Sequence, residues 1–82
     1  MPGGKTFERM RRNPRDNWNI NDIQSLCREN GLSCEPPRGG GSHYKIRGPG
    51  GFMFTVPRGR RIKPVYIRAL VGFIITAWDD LP

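Results

Sequence analysis

Apolar residues along this chain follow two periods, and the change from one to the other organises it. Between Ile20 and Asn30, the residues Ile20, Ile23, Leu26 and Cys27 recur every three or four positions, the spacing of one face of a helix. The start of that helix is signalled as well. Asn19 offers a capping side chain, Asp22 stands at the third helical position to return the bond, and Trp18 precedes the cap where it can staple onto Ile23. Asn30-Gly31 ends the helix, since these residue types tolerate the left-handed backbone common just past a helix C-terminus. After Gly31 the period becomes two. "LSCEP" sets Leu32 and Cys34 against Ser33 and Glu35, "HYKIR" sets Tyr44 and Ile46 against His43, Lys45 and Arg47, and "FMFTV" aligns Phe52, Phe54 and Val56. "GPGG" between the last two reads as a turn. Three short strands in succession predict an antiparallel meander with one apolar and one polar face. The polar face then carries His43, Lys45 and Arg47 in a row.

Two more helices flank these elements. "TFERMRRN" supplies about two turns, capped by Thr6 and stopped by Pro14, and "PRDNWN" is a polar turn. Pro64 suits a first helical turn, and residues 65–78 continue it. Ile67, Leu70, Val71, Ile74 and Trp78 form one stripe, and Tyr66, Phe73 and Ala77 a second apolar edge. A helix apolar over so much of its circumference is buried on more than one side. The second side predicts a contact with another chain through Tyr66, Phe73 and Trp78. The stretch contains Arg68 and is shorter than the roughly 20 apolar residues of a membrane span, so it reads as a globular or interface helix. The expected fold class is α+β: a three-stranded antiparallel sheet with helices packed on one face. The order α-β-β-β-α is that of the double-stranded-RNA-binding domain, with an extra N-terminal helix. The division that follows is an N-terminal extension with a short helix at 1–18, one domain at 19–78 and a tail at 79–82.

Composition narrows the choice of partner. A chain of 82 residues holds one domain and one core, and a domain so short is marginal alone. Fourteen Lys and Arg against seven Asp and Glu leave a net charge of +7, which favours nucleic acid or an acidic protein. The excess is concentrated in "PRGRRIKP", where Arg58, Arg60, Arg61 and Lys63 stand close together. Cys27 and Cys34 are seven positions apart with no second ligand cluster, so no zinc site is expected. They read as small buried thiols, with a single disulfide as the alternative. The N-terminal residues carry charge but no apolar run, so no secretion signal is read, and a reducing cytoplasm is the expected compartment.

The only histidine, His43, follows "GGGS" and opens the second strand. "GGSHY" entering a strand, "FTVP" closing the next, a basic loop, and "IKPVYIRAL" opening the last helix together resemble the HicA-like (YcfA-like) toxins of bacterial type II toxin–antitoxin systems. The likeness runs from about Asn19 to Thr76, and its strongest element is Gly41-Ser42-His43. It implies a small endoribonuclease that cleaves mRNA with no metal or other cofactor. A HicB-like antitoxin would silence it, alone or in a larger oligomer, and His43 would be the catalytic residue. Two departures stand out. Many members carry a further histidine after the "VP", where this chain has Arg58, and the segment before Trp18 is longer than the shortest members need.

The chemistry fits these residue types. RNA cleaves itself when its 2′-hydroxyl is deprotonated and the neighbouring phosphorus is held in line. Histidine, with an unperturbed pKa of about 6.5, is the side chain suited to the proton, and a positioned base contributes about 10²–10⁴-fold. Cations stabilise the charge of the phosphorane. Lys45 and Arg47 lie on the strand face of His43, and Arg58, Arg60, Arg61 and Lys63 come from the loop. Gly39, Gly40 and Gly41 remove side chains just before His43, so backbone N–H groups can approach a phosphate. Gly40, Gly41, Ser42, Lys45, Arg47, Arg58, Arg60, Arg61 and Lys63 are the candidate RNA-binding residues. The leaving 5′-oxygen also needs an acid, which with one histidine is a lysine, a water or His43 again. Two other functions use the same features without catalysis: a basic RNA-binding module, and a protein that docks an antitoxin or other partner.

Overall fold

The computed structural model of the chain describes residues 3–39 and 41–79. Three helices and three strands follow in the order α1 (Lys5–Arg12), α2 (Ile20–Glu29), β1 (Ser33–Glu35), β2 (His43–Arg47), β3 (Met53–Pro57) and α3 (Pro64–Asp79), with a 3₁₀ turn, Pro49–Gly51, between β2 and β3. The sheet is antiparallel in the order β1-β2-β3. The domain is α+β, as the periodicity predicts. Of the assigned tail, Asp79 ends α3 and residues 80–82 lie outside the described residues.

The alternation along the strands is the one read from sequence. Ile46 and Val56 are fully buried, Tyr44 and Phe54 half-buried, and His43, Lys45, Arg47, Met53 and Thr55 exposed. Helices cover the buried side. Ile23 and Leu26 of α2, and Ile67, Leu70 and Ile74 of α3, meet Ile46 and Val56 in one core. The start of α2 has the expected form. Asn19 accepts from the backbone N–H of Asn21 and Asp22, and Asp22 accepts from the Asn19 N–H at 3.0 Å, a complete capping box. The left-handed residue at its end is Gly31, at φ +68°.

Residues 3–18 are an integral layer of this core. Phe7 and Met10 of α1 are buried in the same cluster, as is Trp18, whose indole N–H donates to the Asn13 carbonyl at 2.9 Å. Asn30, the one buried polar residue among those described, holds the entering strand of chain. Its side-chain oxygen accepts from the Gly3 N–H at 2.8 Å and its amide donates to the Gly3 carbonyl at 2.9 Å. Thr6 does not cap α1. The helix starts two residues earlier than that cap implies, after Gly4, and Glu29 at the far end of α2 supplies the cap by accepting from the Thr6 N–H and hydroxyl. A carboxylate facing the unpaired N–H groups of a helix start is favourable both as an acceptor and as a charge.

This layer changes the expectation for α3. Ile67, Leu70, Val71, Ile74 and Ala77 are all buried within the chain. Of the three residues assigned to a partner, Phe73 lies against Phe54 with ring centroids 5.5 Å apart and edge-on to Phe52 at 6.2 Å, and Tyr66 and Trp78 are half-buried against the same core. The apolar surplus expected on α3 is covered within the chain, by the sheet side at Phe73 and by α1, part of the N-terminal extension, which packs against α3. Among the described residues, Val65, Ile75 and Met53 are the large apolar ones left exposed. No helix among the described residues is long and apolar enough to cross a membrane.

Cys27 and Cys34 are unlinked. Burial pushes the Cys27 thiol up to about 12, with a further contribution from Cys34 beside it, and burial also raises Cys34. Thiols so placed carry little thiolate at neutral pH and behave as core atoms.

Candidate functional site

The polar face of the sheet, with the chain that leads into β2, forms an open trough of about 480 Å³. Pro36, Pro37 and Arg38 make its rim, Gly41 and Ser42 one end, and His43, Lys45, Arg47 and Glu35 its floor. The floor follows from register. Antiparallel partners share a face, and Lys45 stands between Glu35 on β1 and Thr55 on β3, with His43 beside Pro57 and Arg47 between Ser33 and Met53.

Gly41 is needed where it stands. Its N–H donates to the Arg38 carbonyl at 2.9 Å, closing a turn, and an added Cβ would come within 3.1 Å of that same carbonyl and 3.3 Å of Pro37. The turn sets the approach to β2, but it also occupies the Gly41 amide, so that N–H is not free to meet a phosphate as the glycine run had led us to expect. Gly40 lies outside the described residues. The Ser42 carbonyl accepts from the Arg58 N–H at 2.7 Å, one rung beyond the His43–Pro57 pair. Ser42 Oγ lies 2.9 Å from His43 Nδ1. That contact fixes the ring through one nitrogen, and Nε2 has no protein partner among the described residues. The imidazole is exposed on the trough floor, positioned by a strand and by its own neighbour.

The cations divide between two places. Lys45 and Arg47 lie in the trough with Arg38, a cation that no sequence motif marks. Arg58, Arg61 and Lys63 line a second, smaller cavity of about 200 Å³ with Pro57, Ile62 and Tyr66. Ile62 is buried, and its N–H donates to the Trp18 carbonyl at 2.8 Å. Arg61 donates to the Arg15 carbonyl at 3.0 Å. The basic loop is therefore pinned to residues 15–18. Arg60 lines neither cavity. The two linings share no residue, but Pro57 of the second is the strand partner of His43 of the first, and the Arg58 N–H of the second donates to the Ser42 carbonyl of the first.

No family model matches this chain. No curated protein and no solved structure matches it either. Function is therefore argued from the residues and from their arrangement.

That arrangement brings together groups with separate tasks. Arg38 and Lys45 offer positive charge to an anion in the trough. Arg47 is engaged, its Nε 3.3 Å from Glu35 Oε2, a pair about half exposed on both sides and so worth about 0–1 kcal/mol. His43 supplies an imidazole, a side chain whose two nitrogens can accept and donate a proton. Glu35 is the residue the sequence reading missed. Strand alternation puts it on the polar side, but only the pairing of β1 with β2 sets it across from Lys45 and one diagonal step from His43.

Proposed function

We propose that this protein is a metal-independent endoribonuclease that cleaves mRNA through His43. In this reading it is the toxin of a type II toxin–antitoxin pair, silenced by a HicB-like antitoxin and active in the cytoplasm. The observation that carries the reading is an exposed histidine held by Ser42 in a trough that also carries Arg38, Lys45 and Arg47. A phosphodiester laid there meets Arg38 and Lys45 while its ribose faces the imidazole. The resemblance of "GGSHY", "FTVP" and "IKPVYIRAL" to HicA-like toxins supports the same assignment. The order α2–β1–β2–β3–α3 supports a double-stranded-RNA-binding type of fold, to which α1 is added. An acidic antitoxin would complement the cations at both cavities, an arrangement that favours fast and selective association.

The direct test is a time course of the purified protein on a labelled transcript with chelator present. The expected products carry 5′-hydroxyl and 2′,3′-cyclic-phosphate ends, and a transcript still intact at protein excess would overturn the reading. Salt dependence locates the RNA path. Binding to a short single strand should weaken with salt at a log–log slope of about −0.7 for each phosphate contacted. Because Arg58 and Lys63 line the second cavity and Arg60 does not, Arg58→Ala with Lys63→Ala should flatten that slope by more than Arg60→Ala. Equal slopes for all three proteins would take the loop out of the RNA path and leave it to a protein partner.

A further inference from the structure

The trough contains a second group able to carry a proton. Glu35 ends β1 opposite Lys45, which places it one diagonal step from both His43 and Arg47 on the same face of the sheet. Diagonal neighbours across an antiparallel pair are within reach of long side chains. Its carboxylate does extend over that face, since Oε2 comes to 3.3 Å from Arg47 Nε. Glu35 and His43 line one cavity, with Lys45 between them in the register.

We propose that Glu35 is a second catalytic residue: the base that takes the 2′-hydroxyl proton, with His43 the acid that protonates the leaving 5′-oxygen. This rests on the ribonuclease reading above and supplies the partner that a lone histidine lacks. The division of labour follows from what each group can do. A carboxylate has lone pairs to accept a proton and no proton of its own to give. An imidazolium has two N–H groups and so a proton to give. The step balances. The 2′-O–H bond breaks as its proton passes to Glu35, and the 2′-oxygen bonds to phosphorus. The P–O5′ bond breaks with its electron pair on O5′, and that oxygen takes a proton from His43. The products are a 2′,3′-cyclic phosphate and a 5′-hydroxyl. Solvent then removes the proton from Glu35 and returns one to His43. Lys45, between the two, faces the phosphate oxygens as charge builds on them.

The experiment is a pH–rate profile of the wild type, Glu35→Gln and Glu35→Asp on a short RNA, with melting temperatures measured alongside. The other charged or titratable groups lining the trough with Glu35 are Arg38, Lys45, Arg47 and His43. With Glu35 as base and His43 as acid, the wild-type profile is a bell that rises as the carboxylate loses its proton and falls as the imidazolium does. Glu35→Gln should lower the rate by about 10²-fold or more and remove the rising limb, and Glu35→Asp should restore part of the rate. A wild type that leaves RNA intact overturns the ribonuclease reading itself. A wild type that cleaves, with Glu35→Gln cleaving equally, overturns the role of Glu35 alone. A rate that climbs through the histidine range and levels off overturns it too, because His43 is then the base.

Discussion

Replacing His43 by alanine is expected to lower RNA cleavage by about 10²–10⁴-fold, the usual worth of a positioned proton-transfer group. The fold should be unaffected. The side chain is exposed, its hydrogen bond is to its own neighbour Ser42, and surface substitutions of this kind stay within about 0.5 kcal/mol. RNA binding should also survive, since Arg38, Lys45 and the loop cations supply the attraction. The measurement is a cleavage time course and a binding titration at matched concentrations, with thermal melts of both proteins. Equal cleavage by the two would remove His43 from the reaction. Loss of cleavage together with loss of binding would make the histidine a contact for RNA and leave the catalysis elsewhere.

The second large effect is expected far from the trough. Met10 on α1 is completely buried, and Met10→Ala should cost about 2–5 kcal/mol through the cavity it leaves. Small domains have only about 5–15 kcal/mol in total, so the loss is a large share. Arg12→Ala, on the exposed side of the same helix, should cost less than about 0.5 kcal/mol. Chemical denaturation at neutral pH compares the three proteins, and a cost for Met10→Ala as small as that for Arg12→Ala would make α1 an appendage. Acid should act on the same contact. Hydrogen bonds from Thr6, hydroxyl first and then backbone, hold the Glu29 carboxyl below its ordinary value. A carboxyl lowered by folding adds stability above its unfolded pKa, and that stability fades as pH falls through the folded one. The docking of α1 is therefore expected to weaken in acid.

What could be read in advance was what is local. The strands are visible because Tyr44, Ile46, Phe54 and Val56 alternate with polar neighbours, and α2 because Asn19 and Asp22 write its cap into a few consecutive residues. His43 stands out as the only imidazole. What could not be read depends on contacts between distant parts of the chain. Phe7 and Met10 are two apolar residues in a short, highly charged helix, and nothing local says they are needed to cover α3. Asn30 signals a helix end by its type, but its side-chain bonds to Gly3 require the fold. Glu35 looks like any polar strand residue until the β1–β2 register sets it across from Lys45. Arg61 reads as a free cation, and its bond to the Arg15 carbonyl exists only because the loop is pinned at Ile62.

The alternation of β2 has a consequence for how such a sequence can vary. His43, Lys45 and Arg47 face outward because Tyr44 and Ile46 face inward, so a single inserted or deleted residue between His43 and Arg47 would turn the residues on one side of the change to the opposite face. The core would receive either the histidine or the cation beyond the change, and the trough would lose part of its floor in the same event. A change of length among residues 36–41 moves only the rim, since the strand after it keeps its own register. Descendants of this chain that gained or lost residues near the histidine would therefore be found altered ahead of it and unchanged behind it. Protein folding alone would enforce that asymmetry, whether or not catalysis was under selection.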